Sequence, residues 1–413
     1  MVCSIWRNVC EPRRGDFSVL ICHPTPSFEI FNHIRSRMIV AVNTRLLLPG
    51  KMEGIGWFTY EIVKRMVQHH PDIQFHFFFD RPYDAAFVFG PNVKAHVVRP
   101  PVRHPLLFDW WYNWSVPRLL RRIKADVFVS MDGFCSLRTP VPQIVTIHDL
   151  NFMHFPEHVS HRYRKFLPKR TAQYVNGPAA LTTVSHFSAD DLRKTFGLQK
   201  PVDVIYNAAS DVFQPLAQQQ IENLRQRLTA GRPYFLFVSS IHPRKNLPRI
   251  LKAYDLWRSQ SGKDYALVIV GRRFWQNAEL DQVWKSMQFR DDVIFAGSME
   301  QADLARTTAA AHALVYTSLY EGFGIPIVEA MRCGVPVLTS NVSSMPEIAG
   351  DAALLVDPYR EEAIASGMQR LADEPQLHRQ LSEAGRHRAQ CFDWNASAEK
   401  YWQLILKTAQ SHG

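Results

Sequence analysis

Short, continuous apolar runs recur along this chain, separated by stretches of helical periodicity, and few folds can satisfy that alternation. The first series lies at 38–43, 74–79, 127–129, 144–147, 181–184 and 202–205. A second follows at 234–238, 266–270, 293–295, 313–315 and 335–338. Runs this short, rich in Val, Ile and Phe and apolar on both faces, suit parallel strands covered by helices on either side. The intervening segments 59–68, 188–195, 247–258 and 362–372 read as those helices. The fold class expected is α/β, with doubly wound sheets. The strands are too many for one sheet of ordinary size, and 413 residues can build two cores. The break falls near Val212-Phe213-Gln214-Pro215, before a Gln-rich stretch. Two Rossmann-like domains are therefore expected, at 38–212 and 213–395, facing a cleft. Open α/β sheets bind ligands at the carboxyl ends of their strands. Residues 1–37 are rich in Pro, Arg and Cys without periodicity and read as a disordered or non-native extension.

Composition narrows the function classes. The apolar and charged fractions, 46% and 21%, are those of a globular protein. No apolar run approaches the roughly 18 residues of a spanning helix, and residues 19–22 are too short for a signal-peptide core. A cytoplasmic protein is expected. Six cysteines fit neither a CxxC pair nor a zinc set. Three lie in the first 37 residues, and Cys135, Cys333 and Cys391 read as buried small hydrophobes. The net charge of +10 suits nucleic acid, an anionic membrane or a phosphorylated ligand. No zinc-finger spacing or RNA-binding aromatic signature is present, so no nucleic-acid partner is expected.

The densest chemical signal is Ser318-Leu319-Tyr320-Glu321-Gly322-Phe323-Gly324-Ile325-Pro326-Ile327-Val328-Glu329-Ala330, just after a strand. Pro326 suits the first turn of a helix, where its missing N–H costs nothing, and Gly334 reads as the helix end. Glu321 then lies in the loop and Glu329 on the helix. Gly322 and Gly324 allow close backbone approach to a ligand, and free N–H groups at the helix start suit anionic or hydroxyl-bearing ligands. A second motif, Val238-Ser239-Ser240-Ile241-His242-Pro243-Arg244-Lys245-Asn246, also follows a strand. It offers fixed cations, which a departing diphosphate requires.

Seven residues separate Glu321 from Glu329 in a Glu-Gly-Phe-Gly-x-Pro context. This pattern resembles the signature of family 4 of the retaining GT-B glycosyltransferases (group 1), and the resemblance runs from about Met38 to the C-terminal helix. It implies that Glu321 lies beside the transferred sugar, that Glu329 binds the nucleotide ribose and that Lys245, with Arg244, contacts the diphosphate. It also implies that a final helix, 396–413, packs back on the first domain. Ser239-Ser240 departs from the family's common Gly-Arg and removes one cation.

Other motifs gain meaning from the same resemblance. Gly54-Ile55-Gly56, read as a loop before a helix 57–68, is similar to the family's phosphate or acceptor loop. The rival is a dinucleotide fold with Asp80 as its acid, but Thr59 stands where the third glycine belongs. His148, at a strand end, is expected near the donor sugar, with Asp149 beside it. Ser185 is expected to face the cleft, with Ser188 and Asp191 spaced as a capping box. Asn207 matches the family's turn after a strand and suits a left-handed cleft wall. Ser343-Ser344-Met345-Pro346-Glu347 is expected beside the nucleotide, Ser344 as a donor contact, although Pro346 equally marks a helix start. Phe108–Lys124 mixes Trp110, Trp111, Tyr112 and Trp114 with Arg118, Arg121, Arg122 and Lys124. Two readings stay open: a face resting on a membrane, or helix core beneath solvated cations.

The resemblance thus implies transfer of a hexose, best matched by mannose from GDP-mannose, with retention of configuration, to a glycan or lipid-linked acceptor in polysaccharide synthesis. Its donor contacts are Arg244, Lys245, Gly322, Phe323, Gly324, Glu329 and Ser344. No cofactor or metal is expected, and activity should survive EDTA. A peripheral place at the inner face of the membrane accords with a lipid-linked acceptor. The alternatives are a UDP-sugar-dependent transferase and a non-catalytic glycan- or membrane-binding protein on the same scaffold.

Overall fold

The computed structural model describes residues 38–102, 104–164, 166–272 and 278–411. The 1–37 extension lies outside the described residues.

Two all-parallel sheets organise the chain. The first contains β1 (Ile39–Asn43), β2 (Gln74–Phe79), β3 (Val93–Val97), β4 (Val127–Ser130), β5 (Gln143–Thr146), β6 (Ala180–Thr183) and β7 (Val202–Val204), in the order β3-β2-β1-β4-β5-β6-β7. The second contains β8 (Tyr234–Val238), β9 (Ala266–Val270), β10 (Val293–Gly297), β11 (Ala313–Tyr316), β12 (Val337–Ser340) and β13 (Leu354–Val356), in the order β10-β9-β8-β11-β12-β13. Strand order reverses between β1 and β4 in one sheet and between β8 and β11 in the other. Those switch points are where such sheets leave a crevice. The central strands read as unbroken apolar runs because both faces are covered; Val40, Val42, Phe75 and Phe77 are fully buried. The edge strand β3, Val-Lys-Ala-His-Val, shows no continuous apolar run because Lys94 and His96 interrupt it, while the three-residue edge strand β13 lies in the apolar run 352–356 and is not among the expected strands.

The helices that position the site are α1 (Gly54–His69), α2 (Pro105–Trp110), α3 (Val116–Ile123), α4 (His186–Phe196), α5 (Leu247–Ser261), α6 (Ala278–Ser286), α7 (Ile325–Arg332) and α8 (Trp394–Gln410). A π-helical turn, Trp111–Ser115, joins α2 to α3. α8 follows the second sheet in sequence but packs on α1. Trp402 stacks on His70 with centroids 4.0 Å apart, and Tyr401 bonds Thr146 at 3.0 Å. A continuous buried cluster runs from the first domain through Ile205 and Phe213 into the second. Burying each such large side chain favours folding by about 1.5–3 kcal/mol.

Several expectations need correction. α1 begins at Gly54, so Gly54 and Gly56 lie in its first turn, not in a loop before it. Cys391 is exposed, whereas Cys135 and Cys333 are buried. Asp80 is fully buried, bonded to Arg81 and to Val102 N–H, so it presents no free carboxylate to a ribose. Asn207 is buried and absent from the residues with positive φ, so the left-handed turn is not formed there. The aromatics of Phe108–Lys124 divide: Trp111 and Tyr112 are core, while Trp110 and Trp114 are exposed.

Candidate active site

The site assembles from loops at the carboxyl ends of β8 and β11. After β8 the chain makes a tight 3-10 turn, Pro243–Lys245, with Asn246 left-handed at its end. That turn directs Arg244 and Lys245 toward the loop after β11. Asn246 anchors it by donating to Thr317 O at 3.0 Å and Pro358 O at 2.7 Å. Lys245 Nζ lies 2.5 Å from Glu321 Oε1, and Arg244 Nη1 lies 2.8 Å from Oε2. The Tyr316 hydroxyl donates to the same Oε1 at 2.9 Å and accepts from Lys245 at 3.0 Å. Glu321 is thus not a free carboxylate; it is the hub of a buried cluster holding two cations against one acid.

The electrostatics follow from that arrangement. Burial opposes the charge on Glu321, but Arg244 and Lys245 more than offset it and hold its pKa down at about 2. Burial, aided by Arg244, lowers Lys245 to about 8, against the pull of Glu321. The cluster keeps an excess positive charge at neutral pH, with Asp149 as a further negative neighbour of Arg244.

Glu329 is different. It sits half-buried on α7, eight positions on from Glu321, and among the described residues its carboxyl has no hydrogen-bond partner. Burial alone pushes its pKa up to about 8. Pro326 occupies the first turn of α7, and Gly324 caps it at φ +96°, a conformation that favours glycine. Gly322 is required for another reason: a Cβ there would stand 2.1 Å from His148 O in the first domain. Only glycine lets the two loops touch.

That touching point closes the cleft. Ser185 Oγ donates to Gly322 O at 2.7 Å, and Tyr320 OH donates to Asp191 at 2.6 Å. Glu347 accepts from the N–H groups of His186 and Phe187, both at 2.8 Å, at the start of α4, where free N–H groups and the helix dipole favour an anion. Its carboxylate also accepts from Tyr206 OH at 3.0 Å. Ser185, not Ser188, is the N-cap of α4, accepting from Ser188 N–H at 3.0 Å. It is fully buried between the domains rather than facing open cleft. His148 donates Nε2–H to Met131 O at 2.8 Å, its ring edge-on to Phe58. Burial lowers its pKa, so the ring is neutral at pH 7 and Nδ1 keeps a lone pair.

Several of the residues expected to contact the donor also brace the loops. The Ser344 hydroxyl is buried and donates to Glu321 O at 2.9 Å and Phe323 O at 3.0 Å. Phe323 is buried against Tyr206 and Phe392 at the hinge. Gly54 opens toward the second domain, where a Cβ would stand 3.9 Å from Ile325 Cδ1; at Gly56 it would meet Leu46 O at 2.9 Å. Asn207 lies buried just after β7.

Two features escaped sequence reasoning. At the β1/β4 switch point Asp132 accepts from Asn43 Nδ2 and Tyr112 OH, each at 2.8 Å, and pairs with Arg45. At the ends of β8, β9 and β10 a hollow of about 630 Å³ is lined by Ile241, Gly271, Arg272, Trp284, Phe295 and Gly297. Its residues come from four separate segments, so no local motif announces it. Among the described residues no His, Cys, Asp and Glu cluster could hold a metal ion, and no helix is long and apolar enough to cross a membrane.

Known proteins resemble the chain in sequence and in fold. Glycosyltransferase Family 4 matches residues 52–211, and Glycosyl transferases group 1 matches residues 220–388. The chain is 31% identical to the O-antigen chain mannosyltransferase B of Escherichia coli over 61% of this chain and 66% of that one. It is 28% identical to the O-antigen chain mannosyltransferase RfbU of Salmonella typhimurium, over 70% of this chain and 77% of that one. Among solved structures, Anabaena HepE in complex with UDP-glucose superposes with a TM-score of 0.68, covering 91% of this chain and all of that one; at 19% identity the likeness speaks of fold alone. Two facing parallel-sheet domains, the Glu-x7-Glu loop and helix, and both family matches lead to one assignment: the chain belongs to the group 1, family 4 glycosyltransferases of GT-B fold.

Proposed function

We propose that this enzyme transfers a mannosyl residue from GDP-mannose, with retention, to a glycan or lipid-linked acceptor in the synthesis of a surface polysaccharide, working at the cytoplasmic side of a membrane. The observation that carries the reading is the buried Arg244–Lys245–Glu321 cluster, two cations on one acid, followed eight positions on by the Glu329 carboxyl, which has no hydrogen-bond partner among the described residues. The first supplies fixed positive charge for a diphosphate, and the second an acceptor for ribose hydroxyls. The names of the O-antigen mannosyltransferases support the sugar and the pathway class. The hollow beside Trp284 and Phe295 has the size and apolar character of a nucleoside base site.

In the reaction the bond from sugar C1 to the β-phosphate oxygen breaks. The electron pair leaves with the diphosphate, which Lys245 and Arg244 stabilise. C1 passes through an oxocarbenium-like state, and the acceptor hydroxyl adds on the face the diphosphate has left. Its proton goes to the departing phosphate oxygen. His148, neutral with Nδ1 unprotonated, accepts a hydrogen bond from a sugar hydroxyl. The Gly322–His148 contact closes the cleft and limits hydrolysis of the donor. The competing donor is a UDP-sugar, the kind of ligand held by HepE. Incubation with GDP-mannose and UDP-glucose in parallel, with NMR of the product's anomeric centre, tests the proposal. An α-mannosyl product from GDP-mannose supports it; turnover of UDP-glucose alone, or an inverted product, overturns it.

A further inference from the structure

Tyr320 belongs to the second domain, yet its side chain ends in the first. The residue is 6% exposed, and first-domain rings enclose it, with centroids 5.0 Å away for His154, 5.6 Å for Phe187 and 6.1 Å for Phe155. The hydroxyl uses both its donor and its acceptor there. It donates to Asp191 Oδ2 at 2.6 Å and accepts from Leu150 N–H at 3.1 Å. Asp191, on α4, is itself fixed: His154 Nε2 lies 2.8 Å from Oδ2, and the Thr195 hydroxyl donates to Oδ1 at 3.3 Å. A buried phenol is costly unless its hydrogen bonds to water are replaced, and this socket replaces them on both sides of the oxygen.

The backbone of the same residue faces the cation cluster. Its carbonyl accepts from Arg244 Nη1 at 2.8 Å, and its neighbours complete the hold. Leu319 N–H donates to Arg244 O at 2.8 Å, and Glu321 Oε2 accepts from Nη1 at 2.8 Å. Residues 319–321 therefore set where the Arg244 guanidinium stands. A guanidinium is a planar fork whose hydrogen bonds depend on its orientation, and charge fixed in advance is what stabilises a departing anion. With the domains apart, Tyr320 would lose its socket and the loop would lose an anchor one residue from Glu321. We infer that Tyr320 is a positioning residue that makes the alignment of Arg244 depend on contact between the domains, its side chain seated in the first and its carbonyl holding the arginine in the second. A donor bound to parted domains is then held but not split. The inference rests on the proposed role of Arg244 toward the diphosphate and adds the first-domain socket that controls it.

The test uses the full chain, with Tyr320→Phe, Asp191→Asn and the double variant. Tyr320→Phe keeps the ring and Asp191→Asn the volume, so both should fold and bind GDP or UDP as the wild type does in calorimetry. Release of GDP from GDP-mannose, or of UDP from UDP-glucose, should slow about tenfold or more in each. The double variant should be no slower than the slower single, because one bond joins the two residues. Arg244 itself is read without substrate. In magnetic resonance spectra of protein labelled at arginine nitrogen, the signal missing from Arg244→Lys identifies Arg244. That signal should shift in Asp191→Asn, although Asp191 lies in the other domain. An unmoved signal, unchanged cleavage, or a double variant slowed by the product of the singles overturns the inference. Loss of nucleotide affinity in step with cleavage also overturns it, by making Tyr320 a support of the second domain's own fold. A wild type that cleaves neither donor counts against the proposed function alone, and the Arg244 signal then decides the inference.

Discussion

Lys245 Nζ stands 2.5 Å from Oε1 of Glu321, joining the loop after β8 to the loop after β11 across the switch point of the second sheet. The contact makes Glu321 the organiser of the cations, in addition to its proposed place beside the sugar. Glu321→Gln therefore leaves Arg244 and Lys245 repelling each other. Scanning calorimetry should show a loss on the order of 3 kcal/mol, and turnover should fall by about 100-fold or more. Unchanged melting with unchanged turnover would contradict this role. The acid limb of stability follows in sign. A carboxyl lowered from 4.5 to about 2 stabilises the fold above 4.5 and loses that contribution as pH falls toward 2, a limb the variant lacks.

Glu329 and Lys245 set the pH dependence of donor binding. Glu329 is raised to about 8, and in its proposed role a carboxylate accepts ribose hydroxyls best when ionised, so affinity should climb as pH rises toward 8. Lys245, lowered to about 8, then loses its charge and affinity should fall. The expected profile is a narrow bell, and Glu329→Gln should remove its rising limb. For the empty protein the sign is opposite. Glu329 contributes stability that is full below 4.5 and lost as pH rises through about 8. Nucleotide affinity and melting temperature followed over that range check both.

Gly322→Ala places a methyl group 2.1 Å from His148 O. The loops must part, so transfer should drop by about 100-fold, as it does when reacting groups lose alignment. Nucleotide binding, proposed for the second domain alone, should change little. Equal loss of both would show that the substitution damages the second domain itself.

Glu347→Gln tests the closure. The amide has one oxygen where the carboxylate used two, so one N–H at the start of α4 loses its partner. Stability should fall by about 1–2 kcal/mol, and small-angle scattering should show a wider particle. Donor hydrolysis without acceptor should rise relative to transfer. A variant with wild-type scattering and partition would remove Glu347 from the closure.

Much of this was legible in the sequence, for identifiable reasons. The central strands are covered on both faces, so their apolar runs stand out; β3 is a half-exposed edge with Lys94 and His96 in it and does not. Glu321, Glu329, Arg244 and Lys245 sit in local motifs whose turn residues and prolines can be read one after another. Contacts across 70 or more positions cannot be read that way. Tyr316 joins Lys245 because β11 and β8 are neighbours in one sheet, and Tyr320 reaches Asp191 and Glu347 caps α4 because two domains meet. The resemblance places Ser344 beside the nucleotide; that its hydroxyl reaches the Glu321 and Phe323 carbonyls, more than 20 positions back, no local motif announces.

The account rests on a nucleoside diphosphate held between Lys245 with Arg244 and the carboxyl of Glu329. Calorimetric titration of GDP and UDP into the wild type, Lys245→Met and Glu329→Gln tests this most directly. One saturable site for GDP is predicted, weakened at least about tenfold, or 1.4 kcal/mol, in each variant. A wild type that binds neither nucleotide, or variants that bind as the wild type does, would contradict it.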